Sequence, residues 1–462
     1  MKNHELDSIH PQFWDKLAQV LPEEEIPNYR QSLLEEAVTA IRLHPLKGKH
    51  DFSPTNIHPL PWHPNGFVLK KRPEFSPDPF FHSAAYYVQD SSAQFLHHIL
   101  NSLKDQLPAN PLVGDICAAP GGKSTIILDF LQGSGLLVSN EIVPKRNAVL
   151  RDNLTKWGYL NLLNSRKETD LLKNCGAVFD LMVIDAPCSG EGMFRKSEAA
   201  RKAWTPELVE KNAHRQLKIL KDSLHALKPG GYVIYCNCTM NFQENEGVVI
   251  ALSEKNNLQA LKVDISESWN IHLSKKNGFT FYRFFFHRIS GEGMTYCVFK
   301  KQGDSSESID LHTTSSHKKP NKKQAEEFNH FIRKNMQETG HFYLNEKGEL
   351  FYLPQMVTDM ALHLITSIRA TPLPLGEFRK DLFFPSHFLL MAGLQNQQIP
   401  VIHLDQKQTY LLLKKIPFKL DTSEKGWAVA SYQGQAISWI KIHPKGGKFT
   451  NYYPNSLRLL NY

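Results

Sequence analysis

The chain has 462 residues, of which 41% are hydrophobic and 11% aromatic, so it is too long for one compact domain and can build several cores. It has no run of about 18 uncharged apolar residues and no apolar N-terminal signal segment, so we expect neither a transmembrane helix nor secretion. Its six cysteines form no C-x-x-C pair, which argues against disulfides or structural zinc and for a reducing cytoplasm, and its net charge is +8.

The first predicted unit, residues 1–70, is small and helical. An amphipathic stretch opens at residues 11–14, and residues 29–43 place leucine, alanine, valine and isoleucine at helical spacing. Prolines then cluster at positions 54–64 and 73–79, which indicates irregular connections.

Residues 71–302 alternate short apolar runs with helical segments. The predicted strands are residues 112–117, 136–139, 179–184 and 232–235, and the predicted helices are residues 123–131, 145–157 and 206–227. This rhythm predicts an α/β fold with a mostly parallel sheet and helices on both faces. Two last candidate strands, residues 279–287 and 294–300, lie close in sequence and suit an antiparallel hairpin at the end of the sheet.

The remaining chain predicts a linker and a second α+β region. Residues 303–324 are polar, free of aromatic residues and locally basic, which is typical of a flexible linker. Residues 325–462 predict α+β structure. From residue 414 onward the chain holds eight Lys or Arg residues against Asp421 and Glu424 alone.

A dense run of small residues, D-I-C-A-A-P-G-G-K-S at 115–124, joins a predicted strand to a helix. Paired glycines let a ligand approach the backbone, and the helix N-terminus favours a carboxylate or phosphate. A P-loop requires glycine where Cys117 stands, so a nucleotide-hydrolysing site of that type is excluded. Glu141 follows the next strand, where a carboxylate can accept both hydroxyls of a ribose.

Two further predicted strands end in loops that carry cysteines. Asp185 and Cys188 follow one strand in D-A-P-C-S-G, and Cys238 follows Cys236 at the end of another. Both thiols would converge on the cleft of the small-residue loop, although free cysteine is also a common core residue. No partner at ligand spacing supports a metal site. Since Cys236 and Cys238 share one face of the strand, depth distinguishes them, and Cys238 lies at the tip, where a substrate would enter.

These motifs resemble one family closely, the RNA cytosine-C5 methyltransferases related to the Fmu/NOL1/NOP2/Sun proteins. The matching segments are residues 115–124, residues 185–190, Cys238-Thr239, the E-N-E of residues 244–246, and the flanking residues 42–47 and 87–92. The extension at 191–196 and the C-terminal residues 375–378 and 451–458 resemble the bacterial RsmF (YebU) type, which methylates small-subunit ribosomal RNA.

The resemblance implies a Rossmann-like, class I methyltransferase domain at 71–302 with a mostly parallel, seven-stranded sheet. It further implies an intermediate α+β region at 325–385 and a PUA-like RNA-binding domain at 386–462. The implied cofactor is S-adenosyl-L-methionine. Its implied binding residues are Cys117, Ala118, Ala119, Pro120, Gly121, Gly122, Lys123, Glu141, Asp185 and, near the adenine, Glu168 with Asp170 as the second candidate.

The resemblance also assigns the chemistry. Cys238 would attack carbon 6 of cytosine, which makes carbon 5 enamine-like and able to take a methyl group. Asp185 would hydrogen-bond the cytosine edge, Lys123 would contact the base or the cofactor, and Cys188 would assist release. One departure from the family is that Cys236 stands where it usually has serine or threonine before the nucleophile.

The expected partner is RNA, either ribosomal RNA or the small ribosomal subunit, with no membrane and no metal. The net charge alone fits a solvated surface equally well. A cytoplasmic monomer is expected. Two alternatives stay open: a transfer-RNA cytosine-C5 methyltransferase, and a non-catalytic ribosome-assembly factor on a methyltransferase scaffold. The C-terminal residues that suit RNA binding are Lys414, Lys415, Lys419, Lys441, Lys445, Lys448, Arg458, Trp427, Trp439, Phe449, Tyr452 and Tyr453.

Overall fold

The computed structural model describes residues 6, 8–47, 56–303, 318–333, 336, 338–444 and 447–460. Within these ranges no helix combines the length and the apolar surface needed to cross a lipid bilayer. The N-terminal elements are α1 (Gln12–Leu17), α2 (Ile26–Ser32), β1 (Thr39–Leu43), β2 (Ile57–Leu60), β3 (His63–Leu69), α3 (Pro79–His82) and β4 (Tyr86–Val88).

The N-terminal unit contains a sheet, so the prediction that it is helical is wrong in part. Strands pair antiparallel in the order β2-β3-β1-β4, and the predicted helix over 29–43 stops at Ser32. Residues 38–41 include three β-branched side chains, which favour a pleated conformation. Pairing of β1 with strands on both sides then overrides the helical spacing of the apolar residues.

The central domain is built around a nine-stranded mixed sheet. Its helices are α4 (Leu96–Leu103), α5 (Gly122–Leu131), α6 (Pro144–Trp157), α7 (Glu198–Ala203), α8 (Pro206–Ala226) and α9 (Val248–Ser253). Its strands are β5 (Leu112–Ile116), β6 (Leu136–Asn140), β7 (Leu162–Ser165), β8 (Phe179–Asp185), β9 (Leu227–Asn237), β10 (Leu258–Leu261), β11 (His272–Lys276), β12 (Phe279–Phe284) and β13 (Met294–Lys301).

The order β7-β6-β5-β8-β9-β13-β12 supplies the seven strands that the resemblance implies, of which β7 was not among the six strands predicted from the sequence pattern. The first five are parallel, and β13 and β12 form the predicted antiparallel hairpin. Two strands exceed the prediction, because β11 pairs with β12 at the edge and β10 pairs with the end of β13. The class I methyltransferase fold is therefore confirmed, with a wider sheet than expected.

Side chains of the parallel strands alternate between two cores, one on each face of the sheet. Val113, Leu137 and Val183 join the core under α4, α5 and α6, whereas Met182 and Ile184 join the core under α8 and α9. Strands buried on both faces explain why these segments are almost continuously apolar in the sequence.

The K-P-G-G segment at residues 228–231, which directly follows the predicted helix 206–227, belongs to strand β9. The helix ends at Ala226, and Leu227 already pairs with Phe179. The pairing then shifts, so that Leu181 faces Tyr232 and the intervening residues bulge out of register. Proline and glycine are tolerated here because the bulge does not need their ladder hydrogen bonds.

The C-terminal part forms two four-stranded sheets, ordered β14-β15-β16-β17 and β18-β19-β20-β21. Its helices are α10 (Lys322–Asn329), α11 (Thr358–Ile368), α12 (His387–Met391) and α13 (Gln406–Leu413). Its strands are β14 (Gly340–Leu344), β15 (Glu349–Pro354), β16 (Gly376–Arg379), β17 (Leu382–Pro385), β18 (Val401–His403), β19 (Gly426–Tyr432), β20 (Gln435–Ile442) and β21 (Phe449–Asn451).

Most of the predicted linker (residues 303–324) lies outside the described residues, namely residues 304–317. Its last part is ordered, because Lys318 pairs with Leu344 and helix α10 begins at Lys322. Asn321 and Gln324 cap this helix by reciprocal hydrogen bonds between side chain and backbone. A capping box at this point is a sequence signal for a helix that the linker prediction overlooked.

Residues 42–47, one of the flanking segments of the resemblance, pack against helices α5 and α6, which follow the small-residue loop. Arg42 is fully buried, forms an ion pair with Asp129 and donates to Thr125 Oγ1 at 2.5 Å, both on α5. Its guanidinium carbon lies 4.6 Å from the ring centroid of Trp157 on α6. This buried cation therefore joins the N-terminal sheet to the central domain.

We expect Arg42→Met to lower the free energy of unfolding by about 3–5 kcal/mol, because Asp129 would keep a buried charge without its partner. Urea denaturation followed by circular dichroism measures the change. Arg166→Met, at an exposed arginine, is the matched control and should be close to neutral. A loss at Arg42 no larger than that of the control would contradict the proposed role of the ion pair.

Candidate active site

Four motifs meet at the carboxyl edge of the parallel strands. Strands β5, β6, β8 and β9 end at this edge, and in the sheet Asp185 pairs with Cys236. Ligands of open α/β sheets bind at this edge. The small-residue loop and both cysteine loops therefore lie together, as the sequence predicts.

The loop between β5 and α5 has a backbone that few residue types allow. Cys117 lies in the left-handed region at φ +64°, and Gly121 lies at φ +108°. A Cβ atom at Gly121 would also stand 3.0 Å from a methyl carbon of Leu150. The glycine therefore serves both the turn and the close approach of helix α6.

Two hydrogen bonds hold this loop in place. The Ala118 amide donates to the Asn140 carbonyl at 3.0 Å, which ties the loop to the end of β6. Arg146 Nη2, on α6, donates to the Ala119 carbonyl at 2.9 Å. These neighbouring residues therefore hold the loop in its conformation.

Two carboxylates beside this loop each have an oxygen without a hydrogen-bond donor among the described residues. Asp115 is fully buried, its Oδ2 accepts from Ser124 at 2.5 Å, and burial raises the pKa of Asp115 to about 7. Glu141 is also buried, and its Oε1 accepts from the Val143 amide at 2.9 Å. Glu141 Oε2 has only Arg146 Nη1, at 3.3 Å, as an ionic neighbour. Such oxygens fit the hydroxyl donors of a ribose.

Glu168 and Asp170, the candidates for contact with an adenine, follow strand β7 at the same edge of the sheet. Both side chains are exposed, in contrast with Glu141. The structure therefore brings all three acids to one edge but embeds Glu141 alone.

Lys123 and Asp185 form an ion pair across the cleft, with Nζ and Oδ2 2.8 Å apart. Burial opposes the charge on Lys123, but the Asp185 carboxylate outweighs it and raises the pKa of Lys123 above its usual value. Cys236 Sγ lies 4.0 Å from Asp185 Oδ1 and is fully buried, so burial raises the pKa of Cys236 well above its usual value. Cys236 is therefore a neutral thiol in the floor of the site.

Cys188 and Cys238 face each other, with their sulfur atoms 3.2 Å apart. Both side chains are partly exposed, unlike that of Cys236. The contact with Cys238, followed by burial, raises the pKa of Cys188 well above its usual value. Cys188 is therefore a neutral thiol that can donate a hydrogen bond to the neighbouring sulfur.

The loops that carry these thiols are held together by two buried glutamates, Glu191 and Glu244. Glu191 Oε2 accepts from the amides of Met240 and Asn241 at 2.8 and 3.1 Å, and its Oε1 accepts from Trp204 Nε1 at 3.1 Å. Burial raises the pKa of Glu244 to about 7, although this side chain also accepts several hydrogen bonds. Both residues lie within motifs that the resemblance matched, but the sequence did not show which residues they bind.

The two loops also touch through glycine. The Gly192 amide donates to the Cys238 carbonyl at 2.8 Å, and a Cβ atom on Gly192 would lie 2.0 Å from the Gly293 carbonyl. Only glycine fits at this crossing. Within the described part of the chain, no group of three or more His, Cys, Asp or Glu side chains is placed to hold a metal ion.

A basic groove of about 640 Å³ lies on the C-terminal domain. Its lining includes four basic residues and two rings that pack edge to face with centroids 5.0 Å apart: Lys415, Lys419, His443, Lys448, Phe418 and Phe449. Lys419, His443 and Lys448 are exposed. Positive charge beside aromatic rings suits a single-stranded nucleic acid.

Two of the aromatic residues predicted to bind RNA, Trp439 and Tyr453, have other roles. Trp439 is 1% exposed, and its Nε1 donates to the Ser386 carbonyl at 2.9 Å. Tyr453 is also 1% exposed, and its hydroxyl hydrogen-bonds His82 Nδ1 at 2.6 Å. Burial excludes both from a contact with RNA, and Lys445 lies outside the described residues.

Three family models match the chain in succession. Residues 9–91 match the N-terminal domain of 16S rRNA methyltransferase RsmF, and residues 103–300 match 16S rRNA methyltransferase RsmB/F. Residues 399–459 match the methyltransferase RsmF PUA domain. The three matches follow the order of the N-terminal sheet, the central domain and the last sheet.

Curated relatives resemble the chain over a shorter region. Proteins named ribosomal RNA small subunit methyltransferase F from Aeromonas hydrophila, Vibrio parahaemolyticus and Escherichia coli are 34%, 35% and 33% identical to it over 203, 202 and 206 residues. Each alignment covers 43% of this chain and 42% of the relative, so less than half the length of these relatives is matched.

Two solved structures from Pyrococcus horikoshii share the fold. A methyltransferase homolog protein has a TM-score of 0.54 at 20% identity, covering 64% of this chain and 99% of its own. NSun6 with SFG has a TM-score of 0.53 at 18% identity, covering 65% of this chain and 100% of its own. At these identities the likeness establishes the fold alone.

Proposed function

We propose that this chain methylates carbon 5 of a cytosine in 16S ribosomal RNA, because the RsmB/F model and the models of the RsmF N-terminal and PUA domains match it in order along the chain. The observation that carries this proposal is the pair of thiols, Cys188 and Cys238. Their sulfur atoms lie 3.2 Å apart at the carboxyl edge of the sheet, where the small-residue loop also lies. We place its action in the cytoplasm and take it to be a monomer.

The residues of the small-residue loop fit S-adenosyl-L-methionine, which supplies a methyl group on a positively charged sulfur when bound. The N-terminus of α5 favours the carboxylate of its amino-acid part. The buried Oε2 of Glu141 can accept ribose hydroxyls, since it accepts no hydrogen bond from the described residues and has only Arg146 as an ionic neighbour. A structural neighbour, NSun6, was solved with SFG, an analogue of this cofactor.

Cys238 is the nucleophile in this proposal. Its sulfur adds to carbon 6 of cytosine, which gives carbon 5 the electron density of an enamine. Asp185, fixed by Lys123 at 2.8 Å, is placed to hydrogen-bond the polar edge of the base. Cys236 is unsuited to attack because it is fully buried and held as a neutral thiol.

Cys188 serves the release of the methylated base. After methyl transfer the proton on carbon 5 passes to water, the double bond between carbons 5 and 6 re-forms, and the bond from carbon 6 to Cys238 Sγ breaks. The sulfur departs as a thiolate. Cys188, a neutral thiol beside that sulfur, can donate a hydrogen bond to it and so stabilise the leaving group.

A cytosine inside a stacked helix cannot reach this cleft, so the target must be unpaired or extruded. The basic groove of the C-terminal domain is suited to hold a neighbouring strand of the RNA. Its lysines would contact phosphates and its rings would contact bases.

The cysteine roles predict opposite behaviour of two variants. Cys238→Ala should abolish methylation and form no covalent complex, because it lacks the sulfur that attacks carbon 6. Cys188→Ala should still attack but release slowly, so that a protein–RNA adduct accumulates. Denaturing gel electrophoresis with 16S ribosomal RNA detects the adduct.

Bisulfite sequencing of 16S ribosomal RNA from a deletion strain, complemented with each variant, reads the product. Wild type should restore a methylated cytosine and neither variant should restore it fully. An adduct that persists in Cys238→Ala would reverse the two roles. A methylated position found in transfer RNA instead would contradict the proposed substrate.

Glu141→Ala should weaken S-adenosylmethionine binding about tenfold or more, because a hydrogen bond to a charged acceptor contributes about 1.5–3 kcal/mol. Isothermal titration calorimetry measures the change. Glu168→Ala and Asp170→Ala are matched controls, since both acids lie exposed at the same edge, and we expect smaller losses for them. Equal affinity of Glu141→Ala and wild type would refute the assignment.

The double variant Lys419→Ala/Lys448→Ala should weaken RNA binding and reduce the dependence of log K on log salt by about 1.4, if each lysine contacts one phosphate. Fluorescence anisotropy over a range of salt concentrations measures both. Lys255→Ala/Lys347→Ala removes two exposed lysines outside the groove and should leave the RNA affinity and its salt dependence unchanged. A groove variant that behaves like this control would exclude the groove from RNA binding.

A further inference from the structure

Glu244 is a fully buried carboxylate that accepts hydrogen bonds from both thiol-bearing loops. Its Oε1 accepts from the Ser189 amide and from Gln216 Nε2, each at 2.9 Å. Its Oε2 accepts from Ser189 Oγ at 2.5 Å and from Asn241 Nδ2 at 2.8 Å. Ser189 adjoins the first thiol in the chain, and Asn241 lies on the loop of the second. One side chain therefore sets how the two loops face each other.

A second set of hydrogen bonds links the same residues to one another. Ser189 Oγ lies 3.1 Å from Thr239 Oγ1, which in turn accepts from Asn241 Nδ2 at 2.9 Å. The backbone amide of Glu244 donates to Asn241 Oδ1 at 2.8 Å. Because every acceptor position of the carboxylate is used, a small rotation of either loop would break a buried hydrogen bond.

Glu191 offers a contrast within the same site. It is equally buried and also accepts several hydrogen bonds, but from Met240, Asn241 and Trp204. These contacts hold the Cys238 loop and Trp204, whereas Glu244 accepts from both the amide and the hydroxyl of Ser189. The two glutamates are therefore matched in burial and hydrogen bonding but differ in their contact with the residue beside Cys188.

We propose that Glu244 is a positioning residue for the release step, which holds the Cys188 thiol against the sulfur of Cys238 through Ser189. This inference rests on the proposed function. Attack by Cys238 on carbon 6 does not require Cys188, and Glu191 also holds the Cys238 loop through the amides of Met240 and Asn241, so that step is less sensitive to Glu244. Departure of the same sulfur as a thiolate requires the hydrogen bond from Cys188 and is therefore sensitive to it.

The test is Glu244→Gln, which keeps the shape of the side chain but replaces one acceptor oxygen by a donor. Ser189 N and Gln216 Nε2 approach one oxygen and Asn241 Nδ2 the other, so the new amide group meets a donor in either orientation. We expect adduct formation within about threefold of wild type and release slowed about tenfold or more. The adduct should therefore accumulate, and kcat and KM for RNA should fall together.

The experiment follows labelled 16S ribosomal RNA in single turnovers, with adduct read on denaturing gels and product read by bisulfite sequencing. Glu191→Gln is the matched control and should accumulate no adduct. If Glu244→Gln slows formation and release equally, its role is only structural and the inference is overturned. If Cys188→Ala traps no adduct on the same RNA, the proposed role of Cys188 fails instead, so the two failures are distinguishable.

A second variant keeps the inference testable should Glu244→Gln fail to fold. Ser189→Ala removes the hydroxyl bond of 2.5 Å and leaves the bonds to the Ser189 amide, Gln216 and Asn241 in place. It should slow release by about threefold to tenfold without slowing adduct formation. Release at the wild-type rate in Ser189→Ala would overturn the inference.

Discussion

One buried carboxylate, Glu244, accepts four hydrogen bonds. Three of them join two loops whose thiols are 50 residues apart in the chain, and the fourth comes from Gln216 on helix α8. The parallel sheet brings the loops to one edge, where Asp185 pairs with Cys236, but strand pairing alone does not fix the side chains beyond the strand ends. A fully satisfied buried network restricts such loops to one arrangement. The contact of 3.2 Å between Cys188 and Cys238, on which the proposed chemistry depends, follows from that restriction.

The remaining domains are fixed to this site by polar contacts that cross domain boundaries. Arg42 joins the N-terminal sheet to helix α5, next to the cofactor loop. Backbone hydrogen bonds of 2.8 and 2.9 Å connect Asn164 on β7 with Thr371. Tyr453 of the last domain bonds His82 of the first. The basic groove is therefore held at a set position relative to the thiols, as the proposal that RNA binds in the groove and is methylated at the thiols requires.

The sequence predicted the central domain well, because buried parallel strands leave apolar runs and their loops carry the D-x-C-A-A-P-G-G-K and D-A-P-C-S-G motifs. The prediction from sequence was wrong or incomplete where contacts between distant residues determine the secondary structure, the polar pairing or the burial of a side chain. Strand β1 was assigned to a helix, since its pairing partners lie far away in the chain. The ion pair of Arg42 with Asp129 and the hydrogen bonds of Glu244 span 87 and up to 55 residues, and no local pattern marks them. Trp439 and Tyr453 looked like binding residues because composition does not report burial.

The central claim is that the sulfur of Cys238, and not that of Cys188 or Cys236, bonds to the target base. RNA containing 5-fluorocytidine tests it most directly, because fluorine on carbon 5 cannot leave as a proton does and the covalent complex persists. Peptide mapping by mass spectrometry should then find the modified nucleotide on the peptide that carries Cys238, at the second of its two cysteines. A nucleotide on Cys188 or Cys236, or no covalent complex with a protein that binds the cofactor, would contradict the account.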